Sequence, residues 1–182
     1  LPPGVERYFV QGGGLSVIEI SAEDKIEIIN DEGKQTCEVI VFDSQGKCNL
    51  SILNLKENGS SSFAKKAIAQ DEKISKLFKR KNIDISKAKS SIIFDKDCLV
   101  GEKITLISKD KCIVMLAAPG EAMNVHEQNP PTDLTVFLNK SKFEESEEQF
   151  LLPEPLGDPS YEKLVKRRTA EIYEVKKGEY IQ

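Results

Sequence analysis

The chain has 182 residues, with 26 lysines and arginines against 30 aspartates and glutamates and a formal net charge of −4. The signs are interspersed, so no global field draws it toward nucleic acid or a membrane surface, and the length allows one domain with a full core. Four cysteines, Cys37, Cys48, Cys98 and Cys112, stand singly with one histidine, His126, to join them, which excludes the short-spaced zinc patterns.

In a chain of this size without a secretion signal, the thiols read as reduced side chains of a cytoplasmic protein. The longest apolar run, 112–118, is far short of the ~20 residues that cross a bilayer as a helix. The chain opens at Leu1 without a methionine and stops at Gln182 inside a stretch that alternates like a strand. The expectation is a domain cut from a longer polypeptide.

Gly12-Gly13-Gly14 would suit a phosphate cradle only if a helix followed to aim its amides at the anion. A strand follows instead, so the glycines read as a flexible lead-in. Residues 15–20 and 25–29 are β-branched runs separated by Ser21-Ala22-Glu23-Asp24 and closed by Asn30-Asp31-Glu32-Gly33, the pattern of a hairpin. A strand over 38–42, the turn Asp43-Ser44-Gln45-Gly46 and a shorter strand around 51–55 complete a predicted β-meander.

After Asn58-Gly59 the period changes. Phe63, Ala67, Ile74, Leu77 and Phe78 recur at helical spacing behind Ser60-Ser61-Ser62, a candidate N-cap. Residues 92–94, 103–107, 112–118 and 134–138 return to strand composition, the third so apolar that it belongs inside its sheet. The fold class is therefore α+β, mainly β: a β-sandwich or partly open barrel, with one or two helices between about 62 and 81 on one face.

The domain proper ends near Lys140. An acidic, proline-bearing linker over 141–160 carries Glu144-Glu145-Ser146-Glu147-Glu148 and Pro153, Pro155 and Pro159. Residues 161–182 read as the start of a second, truncated copy. Residues 18–27 align without gaps on 173–182, with Glu19/Glu174 and Ile26/Ile181 identical.

Between Lys65 and Lys89 nine basic residues face three acidic ones, Asp71, Glu72 and Asp84. That excess suits phosphate contacts, a solvated helix face, or docking against the acidic stretch. No stacking aromatics accompany it, so a nucleic-acid partner is not expected.

The long polar loop 119–132, hung between two strands, is the strongest site candidate. Asn124, His126, Glu127 and Asn129 are its candidate ligand-binding residues, suited to a small polar or cationic metabolite. The alternative is a loop tied down by local side-chain hydrogen bonds, with His126 filling a polar niche. No catalytic pair and no metal set can be nominated.

Two stretches carry a family likeness. Ile26-Glu27-Ile28-Ile29-Asn30-Asp31-Glu32-Gly33-Lys34-Gln35 looks like a strand, Asp-x-Gly turn and following glutamine. Residues 112–119 with Asn129-Pro130-Pro131-Thr132-Asp133-Leu134-Thr135-Val136 look like a closing strand, loop, Asn-Pro-Thr element and last strand. In these the chain resembles the urea-carboxylase-associated domain family of unknown function, which also occurs duplicated in front of glycine-cleavage T-protein-like aminomethyltransferases. Residues 167–182 look like the opening of the second copy in those fused proteins.

The resemblance implies a non-catalytic N-terminal accessory domain of a tetrahydrofolate-dependent, aminomethyltransferase-like protein. It would hold no cofactor itself, with tetrahydrofolate in a downstream domain and the downstream domains as partners. Its alternative implication is a stand-alone domain that binds an amine or urea-like metabolite. The chain departs from single-copy members, which carry Cys, His, Asp and Asn between the first strands and the closing pair; here the lysine-rich segment stands in that place.

Overall fold

In the computed structural model eight strands run in chain order: β1 (Val5–Val10), β2 (Leu15–Ile20), β3 (Lys25–Asn30), β4 (Cys37–Asp43), β5 (Ser91–Ile93), β6 (Glu102–Ile107), β7 (Cys112–Ala117) and β8 (Leu134–Asn139). Two helices, α1 (Ser62–Gln70) and α2 (Glu72–Arg80), lie between β4 and β5. The structure describes residues 1–70, 72–120, 126, 130–142, 172 and 174. All of these elements fall within one compact unit, Leu1–Phe143. The expected linker beyond 142 and the second copy over 161–182 lie outside the described residues, apart from Ile172 and Glu174.

The strand β7 has no polar residue to leave in water and is buried along its whole length. Beside it runs β4, antiparallel from Glu38↔Ala117 to Asp43↔Cys112, with six of its seven residues buried. Alternate side chains of a strand face opposite ways, so this pair needs a cover on each side. Val39, Val41, Val114 and Leu116 face a core shared with Val10, Ile26, Ile28, Leu134, Val136 and Leu138 of the other sheet. Ile40, Phe42, Ile113 and Met115 face α1 and α2, meeting Ala64, Ile68 and Phe78. Phe42 and Phe78 stack edge to face with centroids 5.7 Å apart.

The two antiparallel sheets have the orders β2-β7-β4-β5 and β1-β8-β3-β6. Neither closes on itself, so the architecture is a mainly β sandwich with two helices on one face, as its composition predicts. Among the described residues no helix is long and apolar enough to cross a membrane.

Strand partners differ from expectation. β2 and β3 form no hairpin: β2 pairs with β7, and β3 lies between β6 and β8 in the opposite sheet. Ser21-Ala22-Glu23-Asp24 is an arch between sheets. The buried Asp24 holds it, accepting the Ser21 N–H at 2.9 Å and the Ser141 N–H at 2.8 Å on its carboxylate. Nor is there a meander, because no two strands joined by a short turn are hydrogen-bonded to each other. β1, absent from the sequence reading, pairs with β8. The strand expected around 51–55 is a 3-10 turn, Leu50–Leu53, opened by the Asn49 side chain and closed by Asn54 in the left-handed region.

The helix cap is also not the one expected. Glu38 on β4, only 3% exposed, accepts the Ala64 N–H of the first turn of α1 at 3.1 Å and the Ser90 hydroxyl at 2.9 Å. Ser61 turns its hydroxyl away, to the Ala88 carbonyl at 2.6 Å. A carboxylate at a helix N-terminus satisfies a donor and complements the dipole. Glu38→Ala, which orphans both buried donors, is expected to lower stability by about 1–3 kcal/mol for each. Glu38→Gln, which keeps an acceptor, loses less. Urea unfolding checks this, and a Glu38→Ala midpoint equal to that of the parent chain would contradict it.

Candidate functional site

Four connections cross between the sheets at one end of the sandwich: β1 to β2, β3 to β4, β5 to β6 and β7 to β8. Where strands end, their backbone groups need new partners. Gln35, 5% exposed, supplies them. Its Nε2 donates to the Pro119 carbonyl at 3.0 Å and the Thr36 carbonyl at 2.8 Å, while its Oε1 accepts the Thr132 N–H at 2.8 Å. One buried amide therefore holds both roots of the loop 119–132. Asn30, fully buried, donates through Nδ2 to the Gln35 carbonyl at 2.6 Å and to Cys98 Sγ at 2.8 Å, which adds the β5–β6 connection.

The glycines are not a flexible lead-in. The Gly12 N–H donates to Asp133 Oδ1 and the Gly13 N–H to the Ala118 carbonyl, both at 2.8 Å. A Cβ at Gly12 would stand 2.3 Å from the Pro131 carbonyl oxygen, so only glycine fits against the second root of the loop.

Of the four candidate ligand residues, Asn124, Glu127 and Asn129 lie outside the described residues, and His126 is exposed. What the structure does bring together at the loop base is Asn30, Gln35, Thr132 and the glycine turn. Asn30 Oδ1 and Thr132 Oγ1 are buried there without a hydrogen-bond partner. An unpaired amide oxygen and a hydroxyl suit an N–H or O–H donor, and leaving such atoms unpaired costs about 1–3 kcal/mol each. The signal available in the sequence was Asn30 at a strand end and Gln35 just after the glycine turn, both polar beside apolar runs.

Past the glycine turn opens a cleft of about 800 Å³, walled by Phe9, Gly13 and Leu15 on one side and Ala67, Gln70 and Glu72 on the other. The Arg7 guanidinium stacks 4.9 Å over the Phe9 ring at its rim. A second cleft, of about 590 Å³, includes Thr36, Asn58, Phe94 and Glu102 in its walls.

The three buried thiols are not tuned as nucleophiles. Burial pushes the Cys37, Cys98 and Cys112 thiols up, so each stays protonated at neutral pH. Cys48 is partly exposed and exchanges 3.4 Å contacts with the Lys89 backbone. Tyr8 is pushed up to about 12 by burial and by the Glu6 carboxylate its hydroxyl donates to; Lys140 and then Tyr8 hold Glu6 down. That trio ties β1 to the end of β8. Among the described residues no three His, Cys, Asp or Glu side chains gather as a metal site. Of the basic residues between 65 and 89, Lys76 on α2 is paired to Glu72, and Lys81, Lys87 and Lys89 beyond it to Glu19, Asp84 and Glu57.

Across 186 aligned positions spanning its whole length, the chain is 33% identical to the trimethylamine-oxide aldolase of Ruegeria pomeroyi. It spans about 23% of that protein's length. The chain is thus similar to one portion of a larger enzyme. No protein-family model matches it.

Removing the Gln35 amide frees both loop roots together. Gln35→Ala is expected to destabilise by about 1–3 kcal/mol and to speed hydrogen exchange at the Thr132 amide by at least about tenfold. Unchanged exchange at Thr132 would show that another group holds the loop.

Proposed function

We propose that the chain is an accessory portion, itself not catalytic, of a larger enzyme that removes a one-carbon group from a methylated amine or amine oxide. The observation that carries this reading is the 33% identity along the whole chain to about 23% of a trimethylamine-oxide aldolase. The substrate in that relative's name bears methyl carbons on nitrogen. The donor implied by the aminomethyltransferase resemblance also carries its one-carbon unit on an amine nitrogen, as an aminomethyl rather than a methyl group, which supports a substrate class of one-carbon units bound to nitrogen. On this reading tetrahydrofolate belongs to another domain of the polypeptide, the buried thiols stay inert, and Asn30, Gln35 and the glycine turn hold the accessory portion rigid.

The test compares the complete gene product with the 182-residue chain, following trimethylamine oxide by proton NMR. Consumption by the complete protein and none by the chain is expected, with no thermal shift of the chain by tetrahydrofolate. Turnover by the chain alone, folate binding to it, or a gene product that ends at Gln182 would each remove the proposal.

The unpaired Asn30 Oδ1 and Thr132 Oγ1 favour a second reading, in which the chain binds a small amine or urea-like metabolite at the loop 119–132, with Asn124, His126, Glu127 and Asn129 as candidate contacts. A ligand at 100 times its dissociation constant stabilises by about 2.7 kcal/mol, so a thermal-shift series with methylated amines decides it. No shift with any amine removes this reading.

A further inference from the structure

The sandwich has four edge strands, and three are guarded against pairing with another chain. β5 has only three residues. β6 carries Glu102 and Lys103, and β1 follows Pro2 and Pro3 and carries Glu6 and Arg7. Short length, charge and proline are the usual ways to blunt an edge. β2 reads Leu15-Ser16-Val17-Ile18-Glu19-Ile20 and has none of these beyond Glu19.

The ladder shows which groups that edge offers. The Asn49 N–H bonds the Val41 carbonyl on the side of β4 away from β7. Because N–H and C=O groups alternate sides along a strand, Ile40 and Phe42 turn theirs to β7, opposite Met115 and Ile113. Val114 and Leu116 then bond to β2, opposite Ile18 and Ser16. Among the described residues nothing bonds the N–H and C=O of Leu15, Val17 and Glu19, which face the outer edge.

These three residues are symmetric about Val17. We propose that the free edge of β2 is a self-association surface, pairing antiparallel with β2 of a second copy of this chain about a two-fold axis through Val17. Val17 then meets its own counterpart and Leu15 meets Glu19 of the second copy, so every free edge group finds a partner and outward faces stay outward. The two four-stranded sheets become one continuous sheet. A closed two-fold contact of this kind needs no other component.

The cleft beside Leu15 leaves room for the incoming strand's side chains. The same register carries Glu19 of the second copy, with the Lys81 that pairs to it, toward the end of the cleft that holds the Glu72 carboxylate. Glu72 is paired to Lys76, so one ion pair meets another there with charges of both signs on each side. This inference is independent of the proposed activity.

Light scattering on the eluting 182-residue chain over a concentration series reads the mass, and amide exchange reads the edge. The expected result is twice the chain mass, with slow exchange at the Val17 and Glu19 amides that quickens on dilution. Val17→Pro and Glu19→Pro each remove an outward donor and leave the bonds to β7 in place. The first also trims a side chain packed on the helix-side core, and the second also loses the pair with Lys81. Each should keep the parent circular dichroism and weaken dimerisation by about tenfold. A single-chain mass at every concentration overturns the proposal, whether the two amides exchange fast or are covered by some other segment. So does a dimer that both folded variants leave intact. Should both variants misfold, the parent's amide exchange decides alone, and rates indifferent to concentration overturn it.

Discussion

Two neighbouring strands with no polar face cannot rest against a single layer. β4 and β7 are in that position, and the architecture follows from covering them twice. Ile40, Phe42, Ile113 and Met115 would stand in water without α1 and α2. Each such side chain contributes roughly 1.5–3 kcal/mol when buried, so the four together rival the net stability of a typical domain, roughly 5–15 kcal/mol. The helices are therefore an obligatory third layer, and Glu38 fastens them to β4 at the point where α1 begins.

Pairing β4 and β7 at the centre of one sheet also sets where the connections run. Most connections must change sheets, which collects the polar crossovers at the two ends of the sandwich. At one end Asp24 gathers the β2–β3 arch and the segment after β8. At the other, Asn30 and Gln35 tie the roots of the loop 119–132 to two other crossovers. The candidate site is a product of this geometry: the strand ends need buried amides to satisfy them, and one amide oxygen and one hydroxyl are left over. The Cys37, Cys98 and Cys112 thiols, pushed up by burial, belong to the packing.

Strand positions, the helical segment and the apolar character of β7 were legible because side-chain period and composition report burial directly. Partners were not. Ile18 and Ile20 of β2 alternate with polar residues just as Ile26 and Ile28 of β3 do, and both pairs enter the same core from opposite sheets. A two-strand pattern with a polar link reads identically as a hairpin or an arch. The 3-10 turn at Leu50–Leu53 escaped because its apolar residues are buried in strand-like number, the deciding cue being Asn49 and its contact with Ser51. The cap of α1 escaped because it comes from Glu38, which lies 26 residues away from Ala64 in sequence. At the site, the loop was recognised by its length and polarity, whereas Gln35 and Gly12 act through long-range contacts that no local pattern records.

A doubly covered strand pair and clamped loop roots make this unit rigid. Native-state hydrogen exchange by NMR tests that account most directly. The amides of Ile40, Phe42 and Met115 should be the slowest in the chain and exchange only through global unfolding, with those of α1, α2 and β6 opening earlier. Slower exchange in the helices than in β4 and β7, or local opening of β4 ahead of the helices, would contradict it.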